Sequence, residues 1–131
     1  MAQGAGLKIR RGTRTHLHAV TRIAQAAAGE GALPTRWEEG RIEEQLEAAD
    51  ELLVALRHGQ VIGFLALEKA GEDALISAVA VLPNFRDRGV GAALLQAARS
   101  RLAEEGRALA THAPNERVPR FVEGTGIGPH G

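Results

Sequence analysis

Val79-Ala80-Val81-Leu82-Pro83-Asn84-Phe85-Arg86-Asp87-Arg88-Gly89-Val90-Gly91-Ala92-Ala93-Leu94-Leu95 contains a strand, a loop and the start of a helix in one continuous run. An apolar, β-branched stretch stops at Pro83. A basic loop follows, with glycine at the fourth and sixth positions of Arg86-x-x-Gly89-x-Gly91. Apolar residues then recur at helical spacing. This order presents bare backbone N–H groups to an anion. The first four N–H groups of a helix have no intrahelical acceptor, and the helix dipole favours negative charge there. Glycines let a phosphate approach the backbone without meeting a Cβ. Arg86 and Arg88 add positive charge at the same spot.

Other phosphate loops fit less well. A P-loop needs Gly-Lys-Ser/Thr, which does not occur. A dinucleotide fingerprint needs Gly-x-Gly-x-x-Gly, and these glycines have the wrong spacing. The plainest alternative is a helix N-terminus after a tight turn, with no ligand.

The stretch resembles motif A of the GNAT N-acetyltransferase superfamily, Arg/Gln-x-x-Gly-x-Gly/Ala after a strand ending in Val-x-Pro. Val81-Leu82-Pro83 and Arg86 to Gly91 match at every defining position. The resemblance implies an α/β (α+β) fold, a mixed and mostly antiparallel sheet flanked by helices. Its fourth and fifth strands are parallel and splay apart to admit the pantetheine arm of acetyl-CoA. It further implies that backbone groups at Val79 and Val81 pair with that arm like an added strand. The N–H groups of Arg86, Asp87, Arg88, Gly89, Val90, Gly91 and Ala92 would hold the pyrophosphate.

The rest of the chain supplies elements in a compatible order. Leu7 to Arg10 alternates as a first strand. Thr13 to Ala28 places Leu17, Val20, Ile23, Ala24 and Ala27 on one helical face. Thr35-Arg36-Trp37-Glu38 reads as a capping box opening a second helix whose apolar face is Ile42, Leu46 and Ala49. Glu51 to Leu56 and Gln60 to Leu67 are strands around a turn at Arg57-His58-Gly59. Ala74 to Val81 is a further strand. Gly89 to Glu105 is a long helix closed by Gly106. Arg107 to Thr111 is a short strand, and Asn115 to Glu123 a last short helix. The order βααβββαβα covers almost the whole chain as a single domain, 1–131.

Composition narrows the functions. Lys plus Arg and Asp plus Glu both number 16, so the formal net charge is zero. That argues against nucleic acid as a partner. Cysteine is absent, which excludes disulfides, thiolate metal sites and a cysteine nucleophile. His16 and His18 lie two apart and make no metal pair, and no metal is expected. No apolar run suits a signal peptide or a membrane span, so a cytoplasmic protein with no membrane partner is expected.

Asn115-x-x-Val118-x-x-Phe121-Val122-x-x-x-Gly126-Ile127 lines up with the family's motif B, with departures. Val122 stands where many members carry the tyrosine that protonates the departing thiolate. Pro119 restrains the helix start. The family's usual last two strands have no counterpart in the sequence.

Acetyl transfer needs a neutral amine, a polarised thioester carbonyl and a proton for the leaving thiolate. The family often uses a carboxylate on its fourth strand for the first step. Ala74 to Val81 contains none. Ser77 is its only polar side chain, able to orient a water or merely to sit on a strand. His112 follows the next strand, where a pKa near 6.5 suits acid–base work; a plain loop histidine is the other reading. Asn115 either caps its helix or touches the CoA arm. Glu30, Trp37, Glu38 and Glu39 lie in the loop that covers the family's acceptor site. There the acidic groups would suit a cationic amine and Trp37 a substrate platform; the plainer reading is that Glu38 completes the cap, Glu39 faces water and Trp37 belongs to the core.

The expectation is an enzyme moving acetyl from acetyl-CoA directly to a primary amine on a small molecule or peptide. The rival is a CoA-binding module with a sensing or scaffolding role. A homodimer through the strand at 107–111 is also expected, because that strand has an open edge and apolar neighbours Leu109 and Phe121.

Overall fold

The computed structural model describes residues 6–34 and 37–109. Five strands form one sheet in the order β1-β2-β3-β4-β5: β1 (Leu7–Arg11), β2 (Glu51–Arg57), β3 (Gln60–Ala70), β4 (Asp73–Val81) and β5 (Ala108–Leu109). The first four pair antiparallel, and β4 pairs parallel with β5 at Asp73 and Ala74. Helices α1 (Leu17–Gly29) and α2 (Ile42–Ala48) cover one face, and α3 (Val90–Glu104) covers the other.

Side-chain alternation builds the two layers. On β2, Leu53 and Ala55 face α3, while Val54 and Leu56 face α1 and α2. The α3 layer is completed by Val90, Leu94, Leu95, Ala98 and Leu102, one stripe at helical spacing. The opposite layer takes Val20, Ile23, Ala24 and Ala27 from α1, with Ile42 and Leu46 from α2.

The hairpins follow turn chemistry. Arg57 pairs with Gln60, so His58-Gly59 is a two-residue loop, and both central residues have positive φ, 51° and 81°. That is the twist the type I′ turn requires. Ala70 pairs with Asp73 around Gly71-Glu72, so β3 and β4 run further than the polar residues Lys69 to Asp73 suggest. Helix α3 ends with the Arg107 N–H bonded to the Leu102 carbonyl at 2.8 Å and Gly106 N–H to Ala103 at 3.0 Å. Gly106, at φ 74°, is the left-handed residue this ending uses.

One expectation fails. The second helix begins at Ile42, after a 3-10 turn at Glu39–Arg41, and Glu38 is not in its first turn as the box Thr35-Arg36-Trp37-Glu38 implies. Glu38 is extended (φ −68°, ψ 164°) and makes no side-chain cap bond. The reason is tertiary: Trp37 is completely buried against the sheet, its ring 6.1 Å from that of Phe64. Burying an indole outweighs a cap. Thr35, and the helix expected over Asn115 to Glu123, lie outside the described residues.

Where α3 ends, charges replace apolar contacts. The buried Glu51 carboxylate pairs with Arg101, and its Oε1 lies 3.0 Å from Lys69 Nζ. Lys69 also reaches Glu105 at 3.1 Å. Burial alone pushes the Glu51 carboxyl up. Hydrogen bonds from Arg101 and Lys69, with their charge, outweigh it and hold Glu51 below the usual carboxylate range. Hydrogen bonds to Glu51 and Glu105 hold the Lys69 ammonium above its ordinary value.

Candidate acyl-CoA site

Strand β4 delivers the chain to a 3-10 turn at Pro83–Phe85. Arg86 is extended, Asp87 enters the left-handed region at φ 63°, and Gly89 caps α3 at φ 83°. The first intrahelical bond runs from Ala93 N–H to the Gly89 carbonyl, 2.9 Å. The N–H groups of Val90, Gly91 and Ala92 therefore belong to the first turn, which has no acceptor of its own. A Cβ built on Gly89 meets nothing within 4 Å. The space where a Gly89 side chain would stand is open. Asp87, Arg88 and Gly89 are exposed around it, while Val90 is turned into the core.

The arginines behave differently from one another. The Arg88 guanidinium lies over the Phe85 ring at 6.0 Å, and Arg57 approaches the same ring at 5.8 Å. Arg57 comes from the end of β2, and only the tertiary structure brings it to the loop. Arg86 turns back along its own strand. Its Nε donates to the Val81 carbonyl at 2.9 Å, and its Nη2 pairs with Glu30 at 2.8 Å. Arg86 thus ties the loop to the end of α1.

Val79 and Val81 face the α3 layer with their side chains. Their backbone has another direction. The Val81 carbonyl is bonded to Arg86, not to β3, whereas Leu82 N–H returns to the Ile62 carbonyl at 2.8 Å. In an antiparallel ladder a residue's N–H and C=O point the same way, and alternate residues share that direction. Val79 and Val81 therefore turn their polar backbone to the β5 side. The described part of β5 pairs with β4 only as far as Ala74.

Ser77 sits at a bulge. Ala66 pairs with Ala78 and Leu67 with Ile76, so Ser77 is the extra residue of β4. The bulge puts Ser77 on the same face as Ala78, under Trp37. Trp37 Nε1 donates to Ser77 Oγ at 3.2 Å, and Ser77 Oγ donates to Glu68 Oε2 at 3.0 Å. Ser77 is 1% exposed and Glu68 half-buried. Glu68, on β3, carries no local signal in the sequence, because its link to β4 is made by strand pairing alone. Cross-strand pairing sets Glu68 opposite Leu75, two residues before the serine.

His112 and Asn115 lie outside the described residues, as do Phe121 and Val122. His16 accepts a hydrogen bond from Thr13 N–H on Nδ1 at 3.0 Å, at the start of α1. Among the described residues no group of three or more histidines or carboxylates is placed to hold a metal ion. No described helix is long and apolar enough to cross a membrane.

The left-handed Gly89 with open space at its side-chain position, the first turn of α3 and the exposed Arg88 fit a diphosphate. The polar edge of β4 fits an extended amide-bearing arm.

Comparison with known proteins agrees with this geometry. A model of the Acetyltransferase (GNAT) family matches residues 17–126. An uncharacterized N-acetyltransferase of Chlorobaculum tepidum is 37% identical over 92 residues, 67% of this chain and 55% of its own. The chain thus spans about half the length of that curated relative. The crystal structure of Ard1 from Thermoplasma volcanium superposes with a TM-score of 0.69 at 28% identity, over 92% of this chain and 82% of that one. A GNAT family acetyltransferase from Brucella melitensis, solved in complex with acetyl-CoA, gives 0.66 at 22% identity, over 85% and 79%. The five-stranded mixed sheet with its flanking helices is the GNAT acyl-CoA N-acyltransferase fold.

Proposed function

The chain belongs to the acetyltransferase (GNAT) family, and on that premise we propose that it moves acetyl from acetyl-CoA directly to a primary amine on a small molecule or peptide. The observation that carries this reading is the β4–loop–α3 junction. A left-handed Gly89 opens the first turn of α3, and Arg88 stands beside it. In this reading the N–H groups from Asp87 to Ala92 hold the pyrophosphate, the Arg86 N–H being donated to the Pro83 carbonyl at 3.3 Å. The β5-side backbone of Val79 and Val81 lines up the arm, and Asn115 touches it. Positioning supplies most of the rate. His112, which follows β5 in the sequence, protonates the departing thiolate. We place the protein in the cytoplasm, as one domain acting without metal, nucleic acid or membrane. A second copy pairs along β5, one of the two outer strands of the described sheet. Sedimentation showing only monomer at micromolar concentration removes that last element.

Titration calorimetry with acetyl-CoA tests the binding half of the reading. Wild type binds, and Gly89→Glu, which adds bulk and like charge at the anion site, does not. Equal affinity of the two refutes the loop assignment. CoA release across a panel of primary amines tests the transfer half. Binding without release from any amine leaves the binding-module reading in its place. A pH–rate profile unchanged in His112→Ala removes that histidine from the mechanism.

A further inference from the structure

The hydrogen-bonded line from buried Trp37 and Ser77 to half-buried Glu68 is more than packing needs. Ser77 occupies the bulge of β4, where β4 is no longer paired with the described part of β5. An arm that starts at the α3 N-terminus and follows β4 past Val81 and Val79 ends at this bulge. There the sheet face toward α1 and α2 carries a carboxylate, Glu68, supplied by the neighbouring strand. Its Oε2 is held at 3.0 Å by a hydroxyl that is itself held at 3.2 Å by a buried indole N–H. A half-buried acid fixed this way keeps one orientation without needing the substrate to order it.

We propose that Glu68 is the base that takes the acceptor amine's proton and that Ser77 is its positioning residue. The proposal rests on the acetyl transfer proposed above. An ammonium substrate gives one proton to the Glu68 carboxylate. The freed nitrogen lone pair forms the N–C bond at the acetyl carbon. The C–S bond breaks and its electron pair leaves on sulfur. The second amine proton ends on the thiolate, giving CoA thiol and amide, and Glu68 returns its proton to water. Glu68 reaches this place from β3 because it is the cross-strand partner of Leu75.

The test compares wild type, Glu68→Gln and Ser77→Ala in three measurements: melting temperature, acetyl-CoA affinity by calorimetry, and the pH dependence of kcat/KM with primary amines. The amines are an alanine-starting peptide, a diamine and an aminoglycoside. Glu68→Gln is expected to bind acetyl-CoA as wild type does and to lose about 100-fold or more in kcat. The ascending limb of its pH profile flattens. Ser77→Ala keeps the carboxylate, so it loses about 10-fold and retains the limb. A Glu68→Gln protein with wild-type kcat and an unchanged profile overturns the proposal. So does wild type that binds acetyl-CoA but acetylates no amine, which also removes the transfer half of the functional reading and leaves its binding half. Wild type that does not bind acetyl-CoA overturns the underlying functional reading as well. Should Glu68→Gln not fold, Glu68→Asp replaces it. Drawing the carboxylate back by one methylene is expected to lower kcat with the limb kept, and an unchanged kcat overturns the assignment.

Discussion

Gly89 and Gly91 flank one turn of the same loop, and replacing each by alanine should give opposite effects on stability. Gly89 sits at φ 83° and ψ 5°, left-handed backbone that costs a residue with a Cβ about 1–2 kcal/mol. Restricting the unfolded chain returns about 0.4–1 kcal/mol. No atom within 4 Å opposes the new methyl, so no steric contribution is added. The net loss for Gly89→Ala is therefore about 1 kcal/mol, a fall in Tm of roughly 3–5 °C for a domain of this size. Gly91 is the second residue of α3, with no positive φ. Gly91→Ala should be neutral or stabilise by up to about 1 kcal/mol. Thermal unfolding followed through Trp37, the sole tryptophan, measures both. If the loop holds pyrophosphate, both variants lose acetyl-CoA affinity despite their opposite stabilities. A Gly89→Ala protein as stable as wild type would refute the left-handed assignment at the head of α3.

Arg86→Ala removes an exposed ion pair with Glu30, so its unfolding free energy should change by less than about 1 kcal/mol. A charge-assisted phosphate contact would make the same variant bind acetyl-CoA more weakly by about 1.5–3 kcal/mol in calorimetry. The charge cluster at the end of α3 predicts a pH dependence. Glu51 is held below the usual carboxylate range, so its contribution to stability is full above about pH 4.3 and is lost as pH falls further. Lys69 is held above its ordinary value, so its contribution persists up to about pH 10.4 and is lost as pH rises beyond. Urea unfolding from pH 3 to pH 7 should show the acid loss, and Arg101→Leu should flatten it. Trp37→Phe removes the indole donor to Ser77 and leaves part of a core site empty. A destabilisation of about 1–3 kcal/mol in urea is expected.

The order of the described elements and the strand–turn–helix junction around Pro83 to Val90 were legible from local signals. A β-branched run ending at Pro83, a glycine pair and a helical stripe need only short-range physics to be read, because propensity, φ and periodicity act between near neighbours. The same holds for the His58-Gly59 hairpin and for the stripe Val90, Leu94, Leu95, Ala98 and Leu102 on α3. Four features were decided by tertiary structure. Burial of Trp37 displaced the start of α2 from the position its capping pattern suggested. Arg86, which reads as a phosphate ligand, folds back to the Val81 carbonyl and Glu30. Arg57 reaches the Phe85 ring from a different strand. Glu68 meets Ser77 across a sheet, nine residues away, through a bulge that no local pattern announces. Local sequence sets which backbone conformations are cheap. Which side chains share a face depends on register, and register is a balance of burial summed over the whole sheet.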